Sequence, residues 1–186
     1  MRRAGRLLIA GAVVGASPLF VSCSDRSTDG APAASSIPIA AGTTLPGSLE
    51  GDFGGLTTAS LTTSTPAGVR FDGCVLVADT ADERAAGLMD RTDIGRFTGM
   101  AFVYDSDATT EFWMYRTPMP LSIAFIDGSG RVVSTADMQP CVSDDSDACE
   151  RYGATEPYRI AVEVPAGGLA GAGLVDGASA VLGAPC

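Results

Sequence analysis

No histidine occurs anywhere in the 186 residues. Its absence excludes Ser-His-Asp and Cys-His catalysis and the usual histidine metal sites. Acid–base chemistry would have to rest on carboxylates, tyrosine, arginine or main chain. The five cysteines do not make up for this, because no two stand in a CxxC spacing. No metal site and no cofactor are expected. Basic residues are scarce too, twelve against twenty-two acidic ones, for a net charge of −10. That balance argues against nucleic acid as a partner, since nucleic acid needs a basic footprint. It also argues against electrostatic adhesion to anionic lipid headgroups. Tryptophan is limited to one residue, Trp113.

The longest apolar run falls short of a membrane span. Arg2, Arg3 and Arg6 precede LLIAGAVVGASPLFV, residues 7–21. At about fifteen residues this matches the hydrophobic region of a signal peptide rather than a transmembrane helix. It ends in FVSC, which resembles the bacterial lipoprotein box, whose cysteine becomes the lipidated first residue. That pattern prefers leucine three positions before the cysteine; here Phe20 stands there and Leu19 lies one earlier. The resemblance implies a leader over 1–22, lipidation at Cys23 and an extracytoplasmic protein held on a membrane by its N-terminal lipid. An ordinary secretory signal cleaved nearby is the alternative. The leader carries three arginines and no acid, so the mature chain has nine basic and twenty-two acidic groups, near −13.

With Cys23 set aside, Cys74, Cys141, Cys149 and Cys186 form an even set, which in an oxidising compartment suggests two disulfides. Cys141 and Cys149 flank an acidic loop and are the natural local pair. Cys74 and Cys186 would then close a long loop, contributing about 4 kcal/mol in the chain-entropy model. Other pairings stay open.

Residues 23–68 are rich in Ala, Ser, Thr, Gly and Pro and read as a flexible tether, with too few large apolar residues to offset ordering entropy. From Val69 the texture changes, and residues 69–186 form one domain-sized unit. VRFDGCVLVAD (69–79) reads as a strand. Thr80 with Glu83 three residues on is a capping box, opening a short helix over Ala81–Met89 that contains Gly87. Strands follow at 99–105, 111–114 and 121–127. A hairpin turn at Asp127-Gly128-Ser129-Gly130 leads to a returning strand. A strand at 158–168 and a final one near 175–183 complete the pattern. The order predicts a mainly β fold, a compact antiparallel sandwich or barrel with one short helix.

Four blocks carry a family likeness: VADTADERAAGLMDR (77–91), GMAFVYD (99–105), FWMYRTPMPLSIAFID (112–127) and VEVPAGG (162–168). In this order and spacing they resemble domain-of-unknown-function family 192 of bacteria and archaea. The likeness implies a small β-rich domain, often exported, of no established biochemical role. The family usually has Lys-Asn-Thr where this chain has Tyr115-Arg116-Thr117.

Candidate site residues come from these blocks. Trp113, Arg116 and Thr117 could wall a pocket, an aromatic beside a guanidinium suiting a sugar ring or a carboxylate-bearing ligand. Against this, the Phe-Trp-Met run could simply fill a strand and turn. Arg84 could pair with Asp79 or Glu163 in a buried network, or be a plain surface residue. Glu163 interrupts an apolar strand; alternation with Ala161 allows it to face outward, and if inward it needs a partner such as Arg84 or Arg116. The acidic loop over 143–150 lacks the ligand spacing of a calcium loop. The reading is an anchored exported domain with non-catalytic ligand binding or envelope maintenance, its ligand a glycan or small molecule. The rival is a carboxylate-dependent hydrolase of envelope glycan using Asp79, Glu83 or Glu163. Catalytic residues and oligomeric state leave no mark in the sequence.

Overall fold

A computed structural model describes residues 53–186. The leader over 1–22, Cys23 and the tether up to residue 52 lie outside the described residues. The described elements, in chain order, are β1 Thr57–Ser64, β2 Arg70–Ala78, α1 Ala81–Ala86, β3 Gly99–Ala108, β4 Phe112–Trp113, β5 Leu121–Ile126, β6 Val132–Met138, β7 Arg151–Tyr152, β8 Tyr158–Pro165 and β9 Ser179–Leu182. A 3-10 turn, Ser146–Ala148, precedes β7. The fold is mainly β with one short helix, as the sequence predicts. Among the described residues no helix is long and apolar enough to cross a membrane.

Seven strands form one sheet in the order β6-β5-β8-β3-β2-β1-β9, and β4 pairs with β7 in a separate ribbon. Neighbours are antiparallel except β2 and β3, which run parallel because α1 sits in the crossover between them. The sheet is therefore mixed. It curls until its edges touch at one bridge, Arg131 with Ser179, where Val132 N–H donates to the Ala178 carbonyl at 2.8 Å. No ladder joins β6 to β9, so the sheet is not closed into a barrel.

Both faces of the sheet are covered, which explains why several strands read as unbroken apolar runs. In β2, Val75 and Val77 enter one core with Leu61, Val162, Val164 and Leu174. Leu76 and Ala78 enter the other, with Met100, Phe102, Ile123, Phe125 and Tyr158. All six residues of β5 are buried.

Two expectations are corrected. Residues 57–64, assigned by composition to the tether, are β1, paired over eight positions with β2 and four with β9. Their Ser/Thr content masks a period of two: Ala59, Leu61 and Thr63 are buried, and Thr63 Oγ1 donates to the Ala172 carbonyl at 2.8 Å. The domain thus begins ahead of Val69. The helix stops at Ala86 rather than Met89, because Gly87 leaves helical geometry at φ 46° and ends it. Leu88, buried, lies in the turn that follows. The capping box is present: Glu83 N–H donates to Thr80 Oγ1 at 3.2 Å, and Thr80 N–H to Glu83 Oε2 at 3.0 Å.

Candidate functional site

Strand alternation decides where Glu163 points. Val162 and Val164 belong to the first core and Ala161 to the second. Glu163 therefore shares the Ala161 face, and that face is roofed rather than open to solvent. In register it lies between Met100 on β3 and Ile123 on β5. It is only 4% exposed. No hydrogen bond or ion pair from the described residues reaches its carboxyl, and burial alone pushes its pKa up to about 8. A neutral, proton-bearing carboxyl is the form this environment favours.

Glu163 is in the wall of a cavity of about 450 Å³ between the sheet, α1 and β4. The helix and the turn after it supply Arg84, Gly87 and Leu88; β3 supplies Phe102 and Tyr104; Glu111, Phe112 and Trp113 come from β4 and the residue before it. Gly87 is needed here, since a Cβ would lie 3.3 Å from the Phe102 ring and the backbone is at positive φ. The aromatic wall is braced from behind. Phe112 packs edge-on to Phe102 at 5.0 Å between centroids, and Phe125 lies 5.0 Å from Tyr158. Tyr158 donates its hydroxyl to the Thr110 carbonyl at 2.7 Å, and burial raises its pKa well beyond the usual phenol range.

Four of the six sequence candidates meet at this cavity: Arg84, Trp113, Thr117 and Glu163. Arg84 donates to the carbonyls of Asp79 and Val103, the latter at 2.8 Å, and lies 4.7 Å from the Tyr104 ring centre. Trp113 is 38% exposed and stacks against Arg151, its partner on β7, at 3.7 Å. Thr117 is buried, with Oγ1 donating to the Tyr115 carbonyl at 3.2 Å.

Arg116 and Asp79 do not line the cavity. The Arg116 side chain turns to Asp90 in a two-armed ion pair, with Nε donating to Oδ1 at 3.1 Å. Both residues have left-handed backbones, φ 52° and 59°, and Asp90 N–H donates to the Arg116 carbonyl at 2.7 Å. Asparagine, which the family this chain resembles usually has at position 116, tolerates that conformation well. Asp79 is exposed and its amide donates to Glu83 Oε2 at 3.1 Å. The buried ion network weighed for Arg84 is not found among the described residues: Arg84 satisfies carbonyls, and neither it nor Arg116 pairs with Glu163. Glu83 is committed to the helix cap, whose hydrogen bonds from Thr80 hold its carboxyl below its ordinary pKa.

Sequence reasoning missed Glu111, Phe102 and Tyr104. Glu111 directly precedes the Phe-Trp pair, and the alternation of Phe102 with Tyr104 along β3 was the available signal. The structure joins Cys74 to Cys186 and Cys141 to Cys149, with Cα separations of 6.0 and 5.5 Å. In the acidic loop, Asp145 Oδ1 accepts from Asp147 N–H at 3.0 Å and caps the 3-10 turn. No cluster of three or more metal-type side chains occurs among the described residues.

A curled mixed sheet with a helix in its parallel crossover and a cavity beneath that helix defines the class. Residues 62–182 match the profile of domain-of-unknown-function family 192, described as an uncharacterized ACR, and the chain belongs to that family. Among solved structures it is similar to a proposed transcription regulator from Sinorhizobium meliloti 1021. That match has a TM-score of 0.60 at 23% identity and covers 68% of this chain and 95% of that one. It is also similar to a protein of unknown function from Novosphingobium aromaticivorans DSM 12444. Here the TM-score is 0.60 at 29% identity, with 69% of this chain and 88% of that one covered. No curated protein matches the chain.

Proposed function

We propose that this chain is an exported lipoprotein whose domain binds a small organic ligand in the cavity beneath α1, without performing chemistry on it. The observation that carries the binding reading is Glu163, a buried carboxyl without a protein partner, in the wall of a cavity that also presents four aromatic side chains and the small apolar residues of α1. Sites of this kind, apolar with a few convergent polar groups, are where small ligands are held. Export is supported by the leader pattern ahead of Cys23 and by two disulfides, which persist in oxidising compartments. The acidic balance of the chain speaks against nucleic acid as the partner.

The second reading is a carboxylate-dependent hydrolase of envelope glycan. In its favour, Glu111 lines the same cavity as Glu163, giving two carboxyl groups in unlike surroundings. Asp79 and Glu83, the other residues considered for that role, are not in the cavity lining.

A thermal-shift screen of the full-length chain against glycan fragments and small ring compounds tests the binding reading. A true ligand raises the melting temperature, the shift disappears in Trp113→Ala, and it persists in Arg116→Asn, whose side chain is outside the cavity. Stabilisation that survives Trp113→Ala sinks the assignment to this cavity. Glycan cleavage lost in Glu163→Gln replaces binding with hydrolysis. Radiolabelled fatty acid incorporated by the wild type and not by Cys23→Ala checks the anchor.

A further inference from the structure

The charge pattern of this cavity selects among ligands. Two carboxyl groups line it, Glu163 and Glu111, against one guanidinium, that of Arg84. The guanidinium is already engaged by two backbone carbonyls and the Tyr104 ring. Glu163 has apolar cross-strand neighbours in Met100 and Ile123 and no partner of its own. Its oxygens are not fully enclosed and open onto the cavity, where an incoming positive charge with hydrogen-bond donors would meet them. Four aromatic side chains, Phe102, Tyr104, Phe112 and Trp113, are also in the lining. Aromatic rings attract cations through their electron-rich faces. The protein already uses two of them in this way, Arg84 on Tyr104 at 4.7 Å and Arg151 on Trp113 at 3.7 Å. The net charge of −10 draws cations toward the molecule and repels anions.

We propose that the cavity takes a small organic ammonium, its charged nitrogen seated against the Glu163 carboxyl and its hydrocarbon part against Phe102, Phe112 and Trp113. The inference rests on the reading of this cavity as a ligand site and names its ligand class. An anionic ligand would face two carboxyl groups and an occupied guanidinium. On binding below pH 7, the Glu163 carboxyl gives its proton to solvent and the ammonium pairs with the carboxylate, so up to one proton is released per ligand bound. The other titratable groups lining the cavity are Arg84 from α1, Tyr104 from β3 and Glu111 ahead of β4; Arg151 of β7 stands outside the lining, stacked on Trp113, and the face of β5 toward it offers none.

Calorimetric titration of the full-length chain with pentylammonium, pentanol and pentanoate separates head-group charge from chain length. Pentylammonium is expected to bind at least about tenfold tighter than pentanol, with pentanoate weakest. Heats in buffers of different ionisation enthalpy should show proton release with the ammonium alone. Glu163→Gln should abolish the release and bring the ammonium down to the affinity of the alcohol. If wild-type protein binds the alcohol or the acid as tightly as the ammonium, the ligand class is wrong and the cavity remains a ligand site. If the ammonium preference survives Glu163→Gln, the role given to Glu163 is overturned. If none of the three binds, the ligand class is wrong, and the thermal-shift screen alone decides whether the cavity is a ligand site.

Discussion

Glu163 sets two opposed demands on the fold. Its pKa near 8 in the folded chain lies above its ordinary value of 4.5. Between those values the native state holds a proton that the unfolded state has lost, so stability falls as pH rises across that window, by at most about 1.4 kcal/mol per pH unit, and levels off above it. Asp72, Glu83 and Asp127 act with the opposite sign. Hydrogen bonds hold them below their ordinary values, so the stability they add is lost as pH falls below about 4. Glutamine cannot titrate, so Glu163→Gln should come closest to the wild type at pH 5 and exceed it by a few kcal/mol at most at pH 9. Urea unfolding of both proteins at pH 5, 7 and 9 checks this; parallel pH curves would mean that Glu163 ionises without cost. The residue was legible in sequence as a lone charge in an apolar strand. Its burial was not, because alternation fixes which face a side chain joins and says nothing about whether that face is covered. Arg116 misled in the opposite sense: adjacency to Trp113 suggested a shared pocket, and a left-handed backbone turned it toward Asp90 instead.

The elements differ in how plainly they were written. α1 announced its start through Thr80 and Glu83, and the Asp127–Gly130 turn announced the hairpin of β5 and β6, because caps and turns depend on side chains close in sequence. β4 and β7 are two residues each and find their ladder partner only in each other, a pairing no local pattern encodes. β1 was hidden by composition, and its partners lie in β2 and β9, at opposite ends of the domain sequence. That position makes it indispensable. Leu61 is fully buried, worth roughly 1.5–3 kcal/mol on its own. Removing β1 also strips β2 of eight partners and leaves β9 without its neighbour. A chain beginning at Phe53 should unfold cooperatively on heating, whereas one beginning at Val69 should show no cooperative transition. Equal melting curves for the two would show that β1 is an attachment rather than a part of the sheet.

At the scale of the whole molecule, the two disulfides do unequal work. Cys141–Cys149 spans 8 residues and Cys74–Cys186 spans 112. In the chain-entropy model closing the long loop is worth about 4–5 kcal/mol and the short one about 2.5 kcal/mol. The long bridge also fastens the last residue of the chain to β2, near the centre of the sheet, while β9 at the edge has only four residues paired to β1. The short bridge staples the segment that leads into β7, and β7 in turn carries Arg151 against Trp113 at the cavity mouth. The two should therefore fail differently. Cys74→Ser with Cys186→Ser should lower unfolding free energy by about 4 kcal/mol and leave the cavity wall intact in what remains folded. Cys141→Ser with Cys149→Ser should cost less stability while loosening Trp113, seen as a red shift and increased quenching of its fluorescence. Since Trp113 is the protein's one tryptophan, that signal reports the cavity alone. A larger stability loss from the short bridge than from the long one, or an unchanged emission on its removal, would place the stapling elsewhere in the fold.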